Sequence, residues 1–176
     1  DTVNDLGSRL VINGVNETTF NPDADITRAE FAAIIVRALG LRLGEGTNPF
    51  GDVEASDWYE SAIRTASAYS LINGFEDGTY RPHDKMTREQ AMTIVAKAMN
   101  LSGLKEMLRG KDAASIFYQY TDANLVAVWA KDNVSDTLLA GVVNGRNGNV
   151  LDPSANVTRA EVAVMIQNLL IKSELI

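Results

Sequence analysis

The 176 residues carry a net charge of −7, 45% hydrophobic and 22% charged side chains, and not one cysteine. That length is ample for a buried core, disulfides and thiolate metal sites are excluded, and a nucleic-acid or acidic-membrane partner is disfavoured because counterion release needs a basic face. No apolar run approaches the roughly 18 residues that span a bilayer, and no signal peptide opens the chain, so any targeting segment is expected to have been removed or to belong to a larger precursor.

In chain order, Val3, Leu6 and Leu10 are spaced for one face of a short helix that precedes Asn13-Gly14. The loop passes Phe20 and Pro22 to Thr27-Arg28-Ala29-Glu30. Behind it, Phe31, Ile34, Ile35, Ala38 and Leu39 make an apolar stripe of 3.6-residue period. Phe50, Asp52 and Trp58 then open a second unit. Asp57 and Glu60 predict a capping box ahead of Ala62, Ile63 and Ala66, which face a core. Asn73-Gly74, Tyr80, Pro82 and Thr87-Arg88 follow, with a stripe of Ala91, Ile94, Val95, Ala98 and Met99. Short helical turns are predicted over 104–108 and 113–118. Tyr120, Asp122 and Trp129 open a third unit, which continues through Asn144-Gly145, Leu151, Pro153 and Thr158-Arg159 to Val162, Met165, Ile166, Leu169 and Leu170.

The chain therefore repeats itself. The segments beginning at Asn13, Asn73 and Asn144 align without a gap, offset by 60 and then 71 residues, the mark of a repeat architecture. Each unit reads as helix, tight loop, short extended piece, helix, with Gly14, Gly74 and Gly145 placed where a left-handed residue would stop the first helix. The reading is all-α, with modules over 1–44, 45–103 and 120–176 and a decorated linker over 104–119. Projecting Trp58 back by 60 residues falls before residue 1, so the first module is expected to lack its opening.

The chemistry sits where the second helices begin. Thr27 with Glu30, Thr87 with Gln90, and Thr158 with Glu161 have capping-box spacing and read as structural. Arg28, Arg88 and Arg159 occupy the first helical position, where the macrodipole disfavours a cation. Three arginines there predict a compensating partner, either a structural carboxylate or an anion bound at the helix N-terminus. Trp58 and Trp129 are either core anchors or flat faces for stacking on a sugar.

These motifs together resemble the S-layer homology module: aromatic-x-Asp, tryptophan, Asn-Gly, Asp-Gly-Thr-Tyr, proline, and Ile-Thr-Arg-Ala-Glu, in three ordered copies over nearly the whole chain. The resemblance implies a pseudo-threefold spindle whose first helices form a central three-helix bundle. It implies grooves between modules that bind cell-wall polysaccharide, often capped by a pyruvylated amino sugar. The expected glycan-binding set is Arg28, Arg88, Arg159, Trp58, Trp129, Gly14, Gly74 and Gly145. The implied protein is a monomeric, non-catalytic anchor outside a bacterial cell, without cofactor or metal and without a nucleic-acid or membrane partner. Copy two departs with Glu89-Gln90 and copy three with Leu151 at the aromatic slot. Fewer than three competent grooves are expected, the one at Trp58 and its adjoining arginine surviving.

Other readings meet obstacles. A calcium loop starting at Asn73 or Asn144 would need an oxygen ligand at its third position, which holds Phe75 or Arg146. No carboxylate pair recurs as a hydrolase would need, and His83 is alone, with Asp23 and Ser154 in its place elsewhere. The remaining alternative is a protein–protein scaffold or self-assembly module whose grooves take acidic peptides.

Overall fold

The computed structural model describes residues 2–8 and 20–176. Gly14 and Leu10, like the side chain of Val3, lie outside the described residues. Seven α-helices are present among the described residues: α1 (Thr2–Ser8), α2 (Arg28–Ala38), α3 (Glu60–Ala68), α4 (Arg88–Leu101), α5 (Ala113–Phe117), α6 (Lys131–Leu139) and α7 (Arg159–Lys172).

The second helix of every module starts with the same reciprocal bonds. Thr27 Oγ1 accepts from Glu30 N–H at 3.2 Å while the Glu30 carboxylate accepts from Thr27 N–H at 2.8 Å. Thr87 and Gln90 repeat this at 3.4 and 3.0 Å, and Thr158 and Glu161 at 3.2 and 2.9 Å. The spacing works because a helix brings position N3 back over its cap, so two N–H groups without intrahelical partners are satisfied locally.

First helices behave differently. α3 begins at Glu60 with Tyr59 as its cap and no side-chain capping bond. The expected Asp57–Glu60 box is absent: Asp57 accepts from Glu54 N–H at 2.8 Å, and Glu60 turns along its own helix to Arg64 at 3.3 Å. The predicted apolar face is correct, with Ala62, Ile63 and Ala66 buried.

Modules close on one another in a ring. α3 packs on α2, α6 on α4, and α1 on α7, so each first helix covers the second helix of the preceding module and α1 completes the circle. The helices that meet one another centrally are α2, α4 and α7. These are the second helices, not the first ones that the resemblance implied. The reason is compositional: the buried stripes of α2, α4 and α7 continue onto further sides (Ala32, Val36, Met92, Ala96, Ala163), whereas nine-residue α3 and α6 offer one apolar face each. A helix apolar on several sides belongs inside.

At the centre the three extended pieces close a hydrogen-bond triangle. Ile26 N–H donates to Val157 O at 3.1 Å, Val157 N–H to Met86 O at 2.9 Å, and Met86 N–H to Ile26 O at 3.2 Å. All three side chains are fully buried. The segment between modules two and three forms a 3₁₀ turn over Glu106–Leu108 and then α5, whose Phe117 is buried as α5 lies on α6.

Candidate functional site

Arginine at the first helical position turns out to be a stitch between modules. Arg28 Nε donates to Tyr80 O at 2.8 Å, Arg88 Nε to Leu151 O at 2.7 Å, and Arg159 Nε to Phe20 O at 2.9 Å. Each guanidinium reaches from one module to the aromatic slot of the next. The three are 8%, 2% and 6% exposed, which requires that most of their donors be satisfied. Arg28 also lies over the Tyr80 ring, 4.5 Å from its centroid, and Arg159 over Phe20 at 4.8 Å.

The helix N-termini are spent in the same stitching. Arg28 and Ala29 N–H donate to Asp84 O and Pro82 O; Arg88 and Glu89 to Ala155 O and Pro153 O; Arg159 and Ala160 to Ala24 O and Pro22 O, all at 2.9–3.0 Å. With the capping box taking the other two donors, no N–H of these first turns is left for a ligand. Binding of an anion by the backbone of the helix ends is thereby excluded, and side chains of the first turns, the guanidinium tips among them, face the grooves.

There the three sites diverge. Arg88 Nη1 meets Glu161 Oε1 at 2.8 Å, and Arg159 Nη1 meets Glu30 Oε1 at 2.9 Å. Arg28 has no carboxylate within ion-pair reach among the described residues, because the matching position is Gln90. Its Nη2 donates to Asn73 O at 3.2 Å.

Arg28 borders a groove of about 230 Å³, lined by the polar Asn73, Gln90, Thr93 and Lys97, by Gly74 and Trp129, and by the apolar Leu71, Ile72, Phe75 and Ile94. That is the volume of about eight liquid waters, the scale of one sugar ring. No Asp or Glu lines it. Lys97 is half-buried, its Nζ 3.1 Å from the Asn73 side-chain oxygen once that amide is turned to satisfy both groups. Burial holds the Lys97 pKa below its usual value, because the charged form loses water and gains no anion. Trp129 is 58% exposed, and Trp58 is 62% exposed. The core-anchor alternative is thus removed for both; Tyr59 and Ala130, one residue on, take the buried place. The described residues assemble arginine with tryptophan at Trp129, and Trp58 borders neither of the two grooves described here. The partner is Arg28 from module one, since the ring brings modules one and three to either side of module two.

The groove at Arg88 is about 260 Å³, lined by Asn144, Gly145, Arg146, Glu161, Val164 and Asn168 among others. Its charges consume each other. Arg146 grips both Glu161 oxygens at 2.8 and 2.9 Å and also Asp152 at 3.0 Å. Burial pushes the Glu161 carboxyl up, but the Arg146 and Thr158 hydrogen bonds and the Arg88 charge outweigh it and leave the pKa below the usual carboxylate range. For Arg88 the larger influence is burial, which lowers its pKa against the pull of Glu161.

Gly74 and Gly145 are required, though not as left-handed helix stops: neither has positive φ, and the left-handed residues after α3 and α6 are Ser70 and Gly141. A Cβ on Gly74 would strike the Phe50 ring and sit 2.6 Å from Thr79 O; one on Gly145 would collide with Gly148 O and approach the Tyr120 ring to 2.9 Å. The glycines admit the module-opening aromatic against the loop. The role of two further residues escaped the sequence reading. Asp52 accepts from Tyr80 and Arg81 N–H, both at 2.7 Å, and Asp122 accepts from Leu151 and Asp152 N–H at 2.8 and 2.7 Å. Each carboxylate clips a loop that must turn through a non-glycine residue at φ 56° (Arg81, Asp152). The aromatic-x-Asp spacing was visible, but its target 28 to 30 residues on was not. His83 packs against Tyr59, its Nε2 3.2 Å from the phenol oxygen.

Residues 1–32, 49–92 and 119–163 match the S-layer homology domain, more than half of the chain. The chain belongs to the S-layer homology domain family. Amylopullulanase of Thermoanaerobacterium thermosulfurigenes is 36% identical over 174 residues, 98% of this chain and 9% of that protein. Exoglucanase XynX of Acetivibrio thermocellus is 35% identical over 175 residues, 98% of this chain and 15% of that protein. The surface-layer 125 kDa protein of Lysinibacillus sphaericus is 32% identical over 168 residues, 94% of this chain and 13% of that protein. The S-layer homology chain thus spans less than a sixth of the length of each of these relatives. Among its described residues no helix is long and apolar enough to cross a membrane.

Proposed function

We propose that this triplet of S-layer homology modules, over 1–44, 45–103 and 120–176 with 104–119 as an inserted linker, is a non-catalytic anchor that holds an exported protein on a bacterial cell wall. The ligand is an acidic secondary wall polysaccharide, bound through a residue such as a pyruvylated amino sugar. The observation that carries the reading is the Arg28 groove: an exposed indole, two cations and no carboxylate around a space of sugar size. Tryptophan offers a flat face to a sugar ring, and a guanidinium and an ammonium can hold its acidic group against the net negative field of the protein. Relatives named as an amylopullulanase, an exoglucanase and a surface-layer protein share this segment as a small fraction of their length. A part common to proteins of such different names suits attachment rather than chemistry.

Purified wall sacculi, with and without their secondary polymer, test this. Binding should vanish with the polymer. Binding that survives its removal transfers the site to peptidoglycan or to a protein. Leu125 and Val128, exposed and close to Trp129 in sequence, favour the second of these as the competing reading, a groove for an acidic peptide.

A further inference from the structure

The capping residue of the second helices has two head atoms with two duties. In Glu161, Oε2 accepts from Thr158 N–H and Oε1 from Arg88 Nη1. In Glu30, Oε2 accepts from Thr27 N–H and Oε1 from Arg159 Nη1. In Gln90, Oε1 accepts from Thr87 N–H at 3.0 Å, so the remaining head atom is the amide NH₂, a donor. Arg28 Nη1 has no hydrogen-bond partner among the described residues. Its sister atoms are saturated by glutamate. At this groove two donors, the Arg28 tip and the Gln90 amide, share one cavity with Lys97, whose ammonium gives one of its donors to the Asn73 side-chain oxygen and has others to offer.

The neighbouring residue differs from its counterparts as well. Glu89 stands where the other copies have Ala29 and Ala160, and its carboxylate accepts from Ala127 N–H at 2.9 Å. That bond fixes the segment carrying Trp129 onto the start of α4. The two substitutions that set module two apart therefore act on a single groove. One removes its internal acceptor and the other fastens its aromatic lip.

We infer that Gln90 is a specificity-determining residue, which makes the Arg28 groove selective for an acidic sugar while the Arg88 groove, with Glu161 in the same position, is closed to one. This rests on the glycan reading given above. An acceptor with a negative charge satisfies these donors, whereas glutamate at position 90 would remove the amide donor and hold the Arg28 tip from within, as Glu161 and Glu30 hold theirs. The Arg88 groove already holds its anion in Glu161, clamped by two arginines, and a second anion there would face that carboxylate.

The probe is an N-acetylated amino sugar bearing a pyruvyl ketal, used as free acid and as methyl ester. Binding is read by Trp129 fluorescence in a Trp58→Phe background and by calorimetry. The acid should bind about tenfold or more tighter than the ester, the scale of one charge-assisted hydrogen bond, at one site per chain. In Gln90→Glu, which retains the capping box, the preference should fall to about twofold or less with the ester still bound. Equal binding of acid and ester by the wild-type protein, or an undiminished preference in Gln90→Glu, overturns the inference. Binding of neither probe overturns the glycan reading and the inference with it. If Gln90→Glu does not fold, Glu161→Gln decides: a second acid site in calorimetry supports the assignment, and an unchanged single site overturns it.

Discussion

Replacing Asp52 with alanine removes one carboxylate and orphans two backbone donors, Tyr80 N–H and Arg81 N–H, each held at 2.7 Å. Hydrogen bonds to a charged group contribute about 1.5–3 kcal/mol each, but the two losses are not equal. Arg81 is exposed and its N–H can rehydrate, whereas Tyr80 is fully buried. Arg81 also loses the bond that helps hold it at φ 56°, a conformation costing about 1–2 kcal/mol for an L-residue. A net loss of about 2–4 kcal/mol follows, which for a protein of this size lowers Tm by about 5–15 °C. The damage crosses a module boundary, because the Tyr80 carbonyl accepts Arg28 Nε and the Tyr80 hydroxyl donates to Arg28 O at 3.0 Å. Asp52→Asn should be nearly as harmful, since it turns one acceptor into a donor facing an N–H. Thermal denaturation followed by circular dichroism measures all of this, with Asp122→Ala as the twin in module three. A Tm within about 1 °C of wild type for Asp52→Ala would refute the clip.

Gly74→Ala forces a methyl group against the Phe50 ring and Thr79 O, an overpacking cost of about 1–3 kcal/mol. Urea denaturation should show it, and no loss would mean that the loop has slack. Glu161 contributes stability that is complete above its ordinary pKa of 4.5 and is lost as pH falls through its depressed folded value. Thermal melts from pH 6 downward should therefore drop more steeply for wild type than for Glu161→Gln, and parallel curves would contradict the Arg88–Glu161–Arg146 cluster.

Repetition, helical class and the starts of the second helices could all be read from the sequence, because each depends on short spacing. A Thr-x-x-Glu run places a cap and its carboxylate one turn apart whatever surrounds them, and Phe31, Ile34 and Ile35 share a face by helical period alone. Where a feature depended on a distant partner, the local pattern misled. Asp57 and Glu60 have capping-box spacing, but α3 starts at Glu60 itself with Tyr59 as its cap, so Asp57 lies too far back to cap it. Gly74 and Gly145 follow a helix, as stop residues do, yet are glycines because Phe50 and Tyr120 press on them.

The same division runs through the site. Arginine at the first helical position announces an offsetting partner, since the helix dipole opposes it. That the partner of Arg88 is Glu161 and of Arg159 is Glu30, and that Arg28 shares its groove with Gln90, is decided by a ring closed between residues 52 to 139 apart in sequence. One row of three similar motifs gives three different grooves because each is completed by another module. The sequence determines what every module brings; only the tertiary closure decides which side chains share a cavity.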